Sequence, residues 1–376
     1  MRVAVDGRRL QDRPLTGAGR WLANLVPLLA AEADVVVLTD ARRPPPSLEV
    51  DQAPLAVAPR LPEVFWLQWS AARWLAAQDR PAGPRPPGGG ASTGPVFHGA
   101  FNALPRRWRG PSVVTIFDLS FEHHPEDFSA AKRRLFRGQA RWAAGHAGVV
   151  VTVSAHARRA ILETYGTDPD GVVVAPPAVD PVFTDLERVA GQRERAAAML
   201  AARGVTGPYV VAVGGARRRG LEVAVAAWRR LGPHGRHLAL VVVGSQSPGA
   251  GPGLVHLGPV DDPTWAGVLA GARALCYPTR FEGYGMPAME AAACGVPVVC
   301  GPVGPLPEVL GDAAEWCDQA DPRSVGSALA RVLGDAARHQ ELDRLGRDRA
   351  AAGPTWEASA AVVAGAYRRA AAEGGW

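Results

Sequence analysis

Two glutamates eight positions apart, Glu282 and Glu290, sit in the stretch PTRFEGYGMPAMEAAACGVPVVC from Pro278 to Cys300. Carboxylates accept hydrogen bonds from vicinal diols, and a glycine-rich turn entering a helix leaves backbone N–H groups free to meet phosphate oxygens. The segment reads as a strand, ALCYP, then a glycine loop, a short helix and a second strand, VPVVC. Pro287 suits the first helical turn and Gly295 the C-terminal cap. Such a helix is only about 12 Å long at ~1.5 Å per residue. Glu282 would lie in the loop before it and Glu290 in its first turn. N–H groups around Gly285 and Met286 would point out of the helix end. A phosphate–sugar unit could be held there at both ends. The alternative is an ordinary strand-to-helix loop capped by a glutamate.

Three other constellations have bland readings. Asp168-Pro-Asp170 is formally a D-x-D metal–diphosphate pattern, but TDPDG is the composition of a turn. His123 and His124, flanked by Glu122, Glu126 and Asp127, could hold a metal, yet adjacent side chains rarely point the same way, so a solvated loop is expected. FWLQWSAARWLAAQ (Phe65–Gln78) could bind an acceptor or lie on a membrane; with Arg73 as its one basic residue, packing against the first domain is expected.

The elements that must position these groups follow from the apolar pattern. Val3–Val5, Val35–Leu38, Val113–Ile116, Val149–Val153, Val172–Val174, Tyr209–Val213, Leu238–Val243, Ala274–Tyr277 and Val296–Val299 read as buried strands. GPVFHG reads as one more. Helical patterns such as Gly19–Ala31, Ala130–Gly145 and Leu221–Leu231 separate them, which predicts parallel sheets covered on both faces. Two Rossmann-like domains facing across a cleft are expected, with the boundary near 181–207. Asp79–Pro95 reads as a proline- and glycine-rich loop within the first domain.

Composition bounds the rest. With 47% apolar and 20% charged residues among 376, the chain can bury a core and is not disordered. A net charge of +5 is mild for this length and selects no nucleic-acid partner. Lys132 is the sole lysine among 41 basic residues, the mark of a GC-rich, bacterial coding bias. Cys276, Cys294, Cys300 and Cys317 form no C-x-x-C pair, so neither a disulfide framework nor a zinc knuckle is expected and a reducing cytoplasm is. MRVAVDGRRL lacks the apolar stretch of a signal peptide, and no run of about 20 apolar residues offers a membrane span.

The run E-G-Y-G-M-P-A-M-E resembles the E-x7-E signature of glycosyltransferase family 4, the retaining group 1 enzymes of GT-B fold. The resemblance extends along nearly the whole chain. TGAGRW (Thr16–Trp21) looks like the family's glycine loop, and TVSAHARRAILETYG with VDPVF like its domain-linking region. AVGGARRRGL (Ala212–Leu221) resembles the donor-phosphate loop. LPEVLGDAAEWCDQADP follows the signature as in the family, and TWEASAAVVAGAYRRA looks like its terminal helix crossing back to the first domain.

That resemblance implies an acceptor domain of residues 1–182 with 355–376 and a nucleotide-sugar domain of 183–354. It implies that Glu290 binds ribose hydroxyls, that Glu282 with Gly283, Tyr284, Gly285 and Met286 faces the donor sugar, and that Arg218 and Arg219 neutralise the diphosphate. Gly17, Ala18 and Gly19 would admit the diphosphate, Val260 would contact the base, and Phe117 and Asp118 would lie beside the sugar. Glu282 and Arg219 are the expected catalytic pair. A nucleotide sugar is the implied donor, with an acceptor left open, no cofactor and no metal. A cytoplasmic place is implied, with contact to the inner face of the membrane left open.

Three places depart from the family pattern. Arg219 stands where lysine is usual, and Pro177-Ala178 where Asn-Gly is usual. Phe117 replaces the histidine of T-I-H-D-L, which suggests a donor lacking the 6-hydroxyl, such as a 6-deoxy sugar. It also keeps open a non-catalytic member that binds a nucleotide sugar or a partner.

Overall fold

The computed structural model describes residues 1–44, 46–55, 63–79, 94–232 and 237–374. Apart from residues 79, 94 and 95, the loop expected over Asp79–Pro95 lies outside them. The chain forms two compact units, residues 1–177 with 355–376 and residues 178–354.

The first unit is built on seven strands: β1 (Arg2–Asp6), β2 (Asp34–Asp40), β3 (Asp51–Leu55), β4 (Val96–Gly99), β5 (Ser112–Thr115), β6 (Val149–Thr152) and β7 (Val172–Val174). They form one sheet in the order β3-β2-β1-β4-β5-β6-β7, with every pairing parallel. Valine-rich strands suit this sheet because its centre is buried on both faces. β3, with Pro54 in its DQAPL sequence, is tolerated because it is an edge strand. The Trp356–Glu373 helix packs on the Gly17–Ala30 helix and on β5 and β6, so both chain ends build this unit.

The second unit repeats the plan with β8 (Tyr209–Gly214), β9 (Ala239–Gly244), β10 (Leu254–Gly258), β11 (Ala274–Tyr277), β12 (Val298–Cys300) and β13 (Ala314–Trp316). Its parallel order is β10-β9-β8-β11-β12-β13. In each sheet the strand order reverses once, between β1 and β4 and between β8 and β11. Loops leaving the carboxyl ends of those strands diverge and open a crevice, the usual ligand position in such sheets.

The boundary differs from both sequence readings. Residues 181–207 are no linker: they hold the helices Pro181–Thr184 and Leu186–Ala201. Division at 182/183 is also late, because Val182 and Phe183 are buried in the second unit's core.

Candidate functional site

At the β8–β11 switch point two loops meet. After β8 the chain makes a tight turn, Arg217–Arg219, closed by Gly220 in the left-handed region at φ 66°. A Cβ on Gly220 would stand 2.2 Å from the Pro278 carbonyl oxygen, so only glycine lets the two loops touch. The Arg280 N–H donates to the Arg218 carbonyl at 2.7 Å, tying the β11 loop to the arginine turn. Arg218 is half-buried, and its Nε has no hydrogen-bond partner among the described residues.

Arg219 and Glu282 meet through a residue the sequence did not single out. Arg219 Nη1 donates to the Tyr277 hydroxyl at 2.6 Å, and that hydroxyl donates to Glu282 Oε1 at 2.5 Å. Arg219 Nη1 itself lies 3.7 Å from Glu282 Oε1. The Thr279 hydroxyl is 3.2 Å from the same carboxylate oxygen and from the Arg218 carbonyl. Burial is the largest single influence and would lower the Arg219 guanidinium, but Glu282, Tyr277 and Glu290 together outweigh it and hold the cation above its usual value. Burial pushes the Tyr277 phenol well above its ordinary range, so it is a neutral donor to Glu282.

Met286–Ala293 is the short helix, with Gly285 as N-cap at φ 99° and Gly295 just past its end at φ 73°. Glu290 is its fifth residue, one turn deeper than expected. It is fully buried, and the Trp265 indole N–H donates to its Oε2 at 2.7 Å. Trp265 projects from the Asp262–Ala270 helix, which Asp261 caps by accepting from Thr264 N. Val260, just before that cap, and Tyr284 pack partly on the unit's core. Burial pushes the Tyr284 phenol up to about 12, with Arg349 and Glu308 close by. Gly283, like Tyr284, is half-buried.

Gly17, Ala18 and Gly19, read as a loop, are the first turn of the Gly17–Ala30 helix in the first unit. Thr16 caps it by accepting from Gly19 N at 3.3 Å. A Cβ on Gly19 would lie 2.5 Å from the Arg9 carbonyl oxygen, so its bareness serves close packing within this unit. Phe117, just beyond β5, is half-buried. It meets the fully buried Trp21 edge to face at 5.4 Å and Phe101 at 6.3 Å. Asp118 accepts from Ser120 N at 2.8 Å and so steers the chain into the next turn.

The other constellations settle into structural parts. Asp168 accepts from Asp170 N at 3.1 Å in a one-turn helix. Glu122 pairs with Arg137 at 2.6 Å, and His124 Nδ1 lies 3.3 Å from Glu126. Among the described residues no three His, Cys, Asp or Glu side chains converge. Trp66 and Leu67 are buried in the first core, whereas Trp69 is 52% exposed. No helix of the described residues is long and apolar enough to cross a membrane.

Comparison with known proteins agrees with this architecture. The model of Glycosyltransferase Family 4 matches residues 15–183, and that of Glycosyl transferases group 1 matches residues 207–335. The chain is 30% identical over 298 residues to D-inositol 3-phosphate glycosyltransferase of Stackebrandtia nassauensis, a match covering 69% of this chain and 63% of that protein. Matches to two further curated relatives span 20% and 28% of those proteins' lengths, so all three fall short of two thirds. Sucrose-phosphate synthase (tll1590) from Thermosynechococcus elongatus shares the fold at a TM-score of 0.74 and 20% identity, over 98% of both chains. Anabaena Alr3699/HepE, solved in complex with UDP and glucose, does so at 0.68 and 14%, over 97% of this chain and 98% of that one. Two parallel Rossmann-like units, two family models and these likenesses agree: the chain belongs to the group 1, family 4 glycosyltransferases of GT-B fold.

Proposed function

We propose that the protein is a retaining glycosyltransferase that moves a sugar from a nucleoside-diphosphate donor to an acceptor hydroxyl. The observation that carries this is the Arg219–Tyr277–Glu282 cluster at the β8–β11 switch point, beside the buried Glu290. In this reading Glu290, held by the Trp265 indole, receives the ribose diol. Arg218 and Arg219 face the diphosphate, with no metal required. When the sugar–phosphate bond breaks, charge grows on the departing diphosphate and on an oxocarbenium-like sugar. Cations and N–H dipoles fixed beforehand stabilise that charge without reorganising. Glu282, clamped by Tyr277, presents its carboxylate to the sugar.

We infer further that the donor lacks a 6-hydroxyl. Phe117 and its aromatic neighbours offer apolar contact and no hydrogen-bond partner, which suits a methyl or a hydrogen at that carbon. Phe117 alone favours a second reading, a family member that binds a nucleotide sugar without turnover.

A calorimetric panel of nucleotide sugars identifies base and sugar by the tightest binder. Slow donor hydrolysis without acceptor separates turnover from binding alone, and NMR of the transferred sugar reads its anomeric configuration. Chelator should leave the rate unchanged. Inversion of the anomeric centre, or absence of binding by every nucleotide sugar, would overturn the reading.

A further inference from the structure

The Ala130–Ala144 helix carries Lys132, Arg133, Arg134, Arg137 and Arg141 and no Asp or Glu. Positions 130, 133, 134, 137, 138 and 141 recur at helical spacing on one face. That face lines an open hollow of about 420 Å³, bordered by Arg133, Arg134, Arg137 and Arg141. Ala140 and Ala143, on the other side, are buried in the unit's core. Arg137 is neutralised by Glu122 at 2.6 Å; Arg134 and Arg141 are exposed.

Apolar groups adjoin this charge. Leu135 on the same helix is 43% exposed. Arg106 lies 5.7 Å from the ring of Trp142, which the helix also carries, and its neighbour Arg107 lies 5.6 Å from the ring of Trp69. Trp69 is 52% exposed and stacks on Phe65 at 5.1 Å. The tryptophan segment has a single arginine of its own in sequence; the fold supplies the missing cations from 106, 107 and the helix. Clustered arginines flanked by exposed Trp and Leu have the composition of a surface that meets a lipid headgroup layer, with charge against phosphate and apolar side chains reaching the acyl boundary.

We propose that this strip of the first unit docks on an anionic bilayer. Its length favours a surface over a small anion: the helix face alone spans about 16 Å at ~1.5 Å per residue. Exposed Trp69 and Leu135 have no use for a soluble phosphate.

The test is flotation of the full chain with vesicles of phosphatidylcholine, with and without phosphatidylglycerol. Binding is expected only to the anionic vesicles and should weaken as salt shortens the Debye length from about 10 Å to about 3 Å. The triple variant Arg133→Gln, Arg134→Gln, Arg141→Gln should lower the partition coefficient about a hundredfold, at roughly fivefold per charge. Trp69→Ser with Leu135→Ser should remove the binding that survives high salt. Arg134, Arg141, Trp69 and Leu135 are exposed and Arg133 is half-buried, so the melting curve of each variant, expected to match wild type, separates lost binding from lost fold. Equal binding to neutral vesicles, or no loss in the triple variant, would overturn the proposal. So would release by inorganic phosphate but not by sodium chloride of equal ionic strength, or tighter binding to duplex DNA than to vesicles.

Discussion

The Tyr277 hydroxyl donates to Glu282 and accepts from Arg219, so removing that one oxygen should loosen both. Tyr277→Phe keeps the ring and the core packing but leaves Glu282 Oε1 without its 2.5 Å donor. A hydrogen bond to a charged group is worth roughly 1.5–3 kcal/mol, so kcat should fall about tenfold or more. Nucleoside diphosphate affinity should change much less, because the ribose is assigned to Glu290. In a Glu282→Ala background the same exchange should cost little more, as expected for a residue acting through another. Full additivity in that double-mutant cycle would show that Tyr277 acts elsewhere. Glu290 poses a different problem, since it is fully buried and also satisfies the Trp265 indole. Glu290→Gln keeps an acceptor for that N–H and should weaken nucleotide binding about tenfold with little change in Tm. Glu290→Ala should add a loss of stability by orphaning the indole; equal Tm values for the two variants would argue against that bond. For Phe117, kcat/KM on a matched donor pair with and without the 6-hydroxyl should favour the deoxy donor. Burying an unpartnered hydroxyl costs about 1–3 kcal/mol on mutational scales. Phe117→His should shift the ratio toward the hydroxylated donor, and an unchanged ratio would place the sugar's sixth carbon elsewhere.

At the scale of elements, the site depends on two loops that glycine allows to touch. Gly220→Ala would put a methyl 2.2 Å from the Pro278 carbonyl at a φ of 66°. Left-handed strain alone costs of order 1–3 kcal/mol, and the clash is with backbone, which cannot swing aside. The expected result is a clear drop in Tm together with loss of diphosphate binding, since the turn that aims Arg219 must move. Wild-type affinity in a folded Gly220→Ala protein would mean that the turn does not aim it. Much at this scale is legible in the sequence. Valine runs such as Val149–Val153 are strands because a doubly covered sheet needs no polar face, and the glycines flanking Met286–Ala293 mark the helix ends. What escapes includes the edge strand β10, LVHLG, and two edges with little apolar signal of their own. β3 is DQAPL and β13 is AEW, each held as an edge by its neighbour rather than by its composition. Gly17–Gly19 resemble the family's glycine loop in sequence, yet the Thr16 cap and the close approach to Arg9 make them a helical turn. The carboxylates are readable from spacing. Their partners are less so: Trp265 is 25 positions from Glu290, and the bridge from Arg219 through Tyr277 exists only once β8 and β11 are neighbours.

At the scale of the whole chain, the first unit is closed by its last helix, and one buried histidine sits where the pieces join. His98 on β4 lies with Nδ1 2.8 Å from the hydroxyl of Tyr367, on the terminal helix, and Nε2 2.7 Å from Thr115 on β5. Burial lowers its pKa to about 4 from 6.5, against a smaller opposing pull from Asp6. The imidazole is therefore neutral above pH 6.5 whether the chain is folded or not, and stability there is independent of it. As pH falls from 6.5 toward 4, unfolded chains take up a proton that the folded unit refuses. Each pH unit then removes about 1.4 kcal/mol, so about 3 kcal/mol is lost by pH 4, after which this loss levels off. Asp6 and Asp40 have lowered pKa values beside Arg8 and Arg42, despite the opposing effect of burial, and surrender their stabilisation only below about 4. Between pH 4 and 6.5 His98 thus supplies an acid lability that these two carboxylates do not. Hydrogen exchange across that interval should accelerate in β4, β5 and the Trp356–Glu373 helix while β8 and β11 keep their protection. His98→Gln retains a donor and an acceptor without a titrating ring, so it should flatten the dependence even if it lowers stability at pH 7. The same acid slope in the variant, or acceleration confined to the second unit, would assign the lability to other groups.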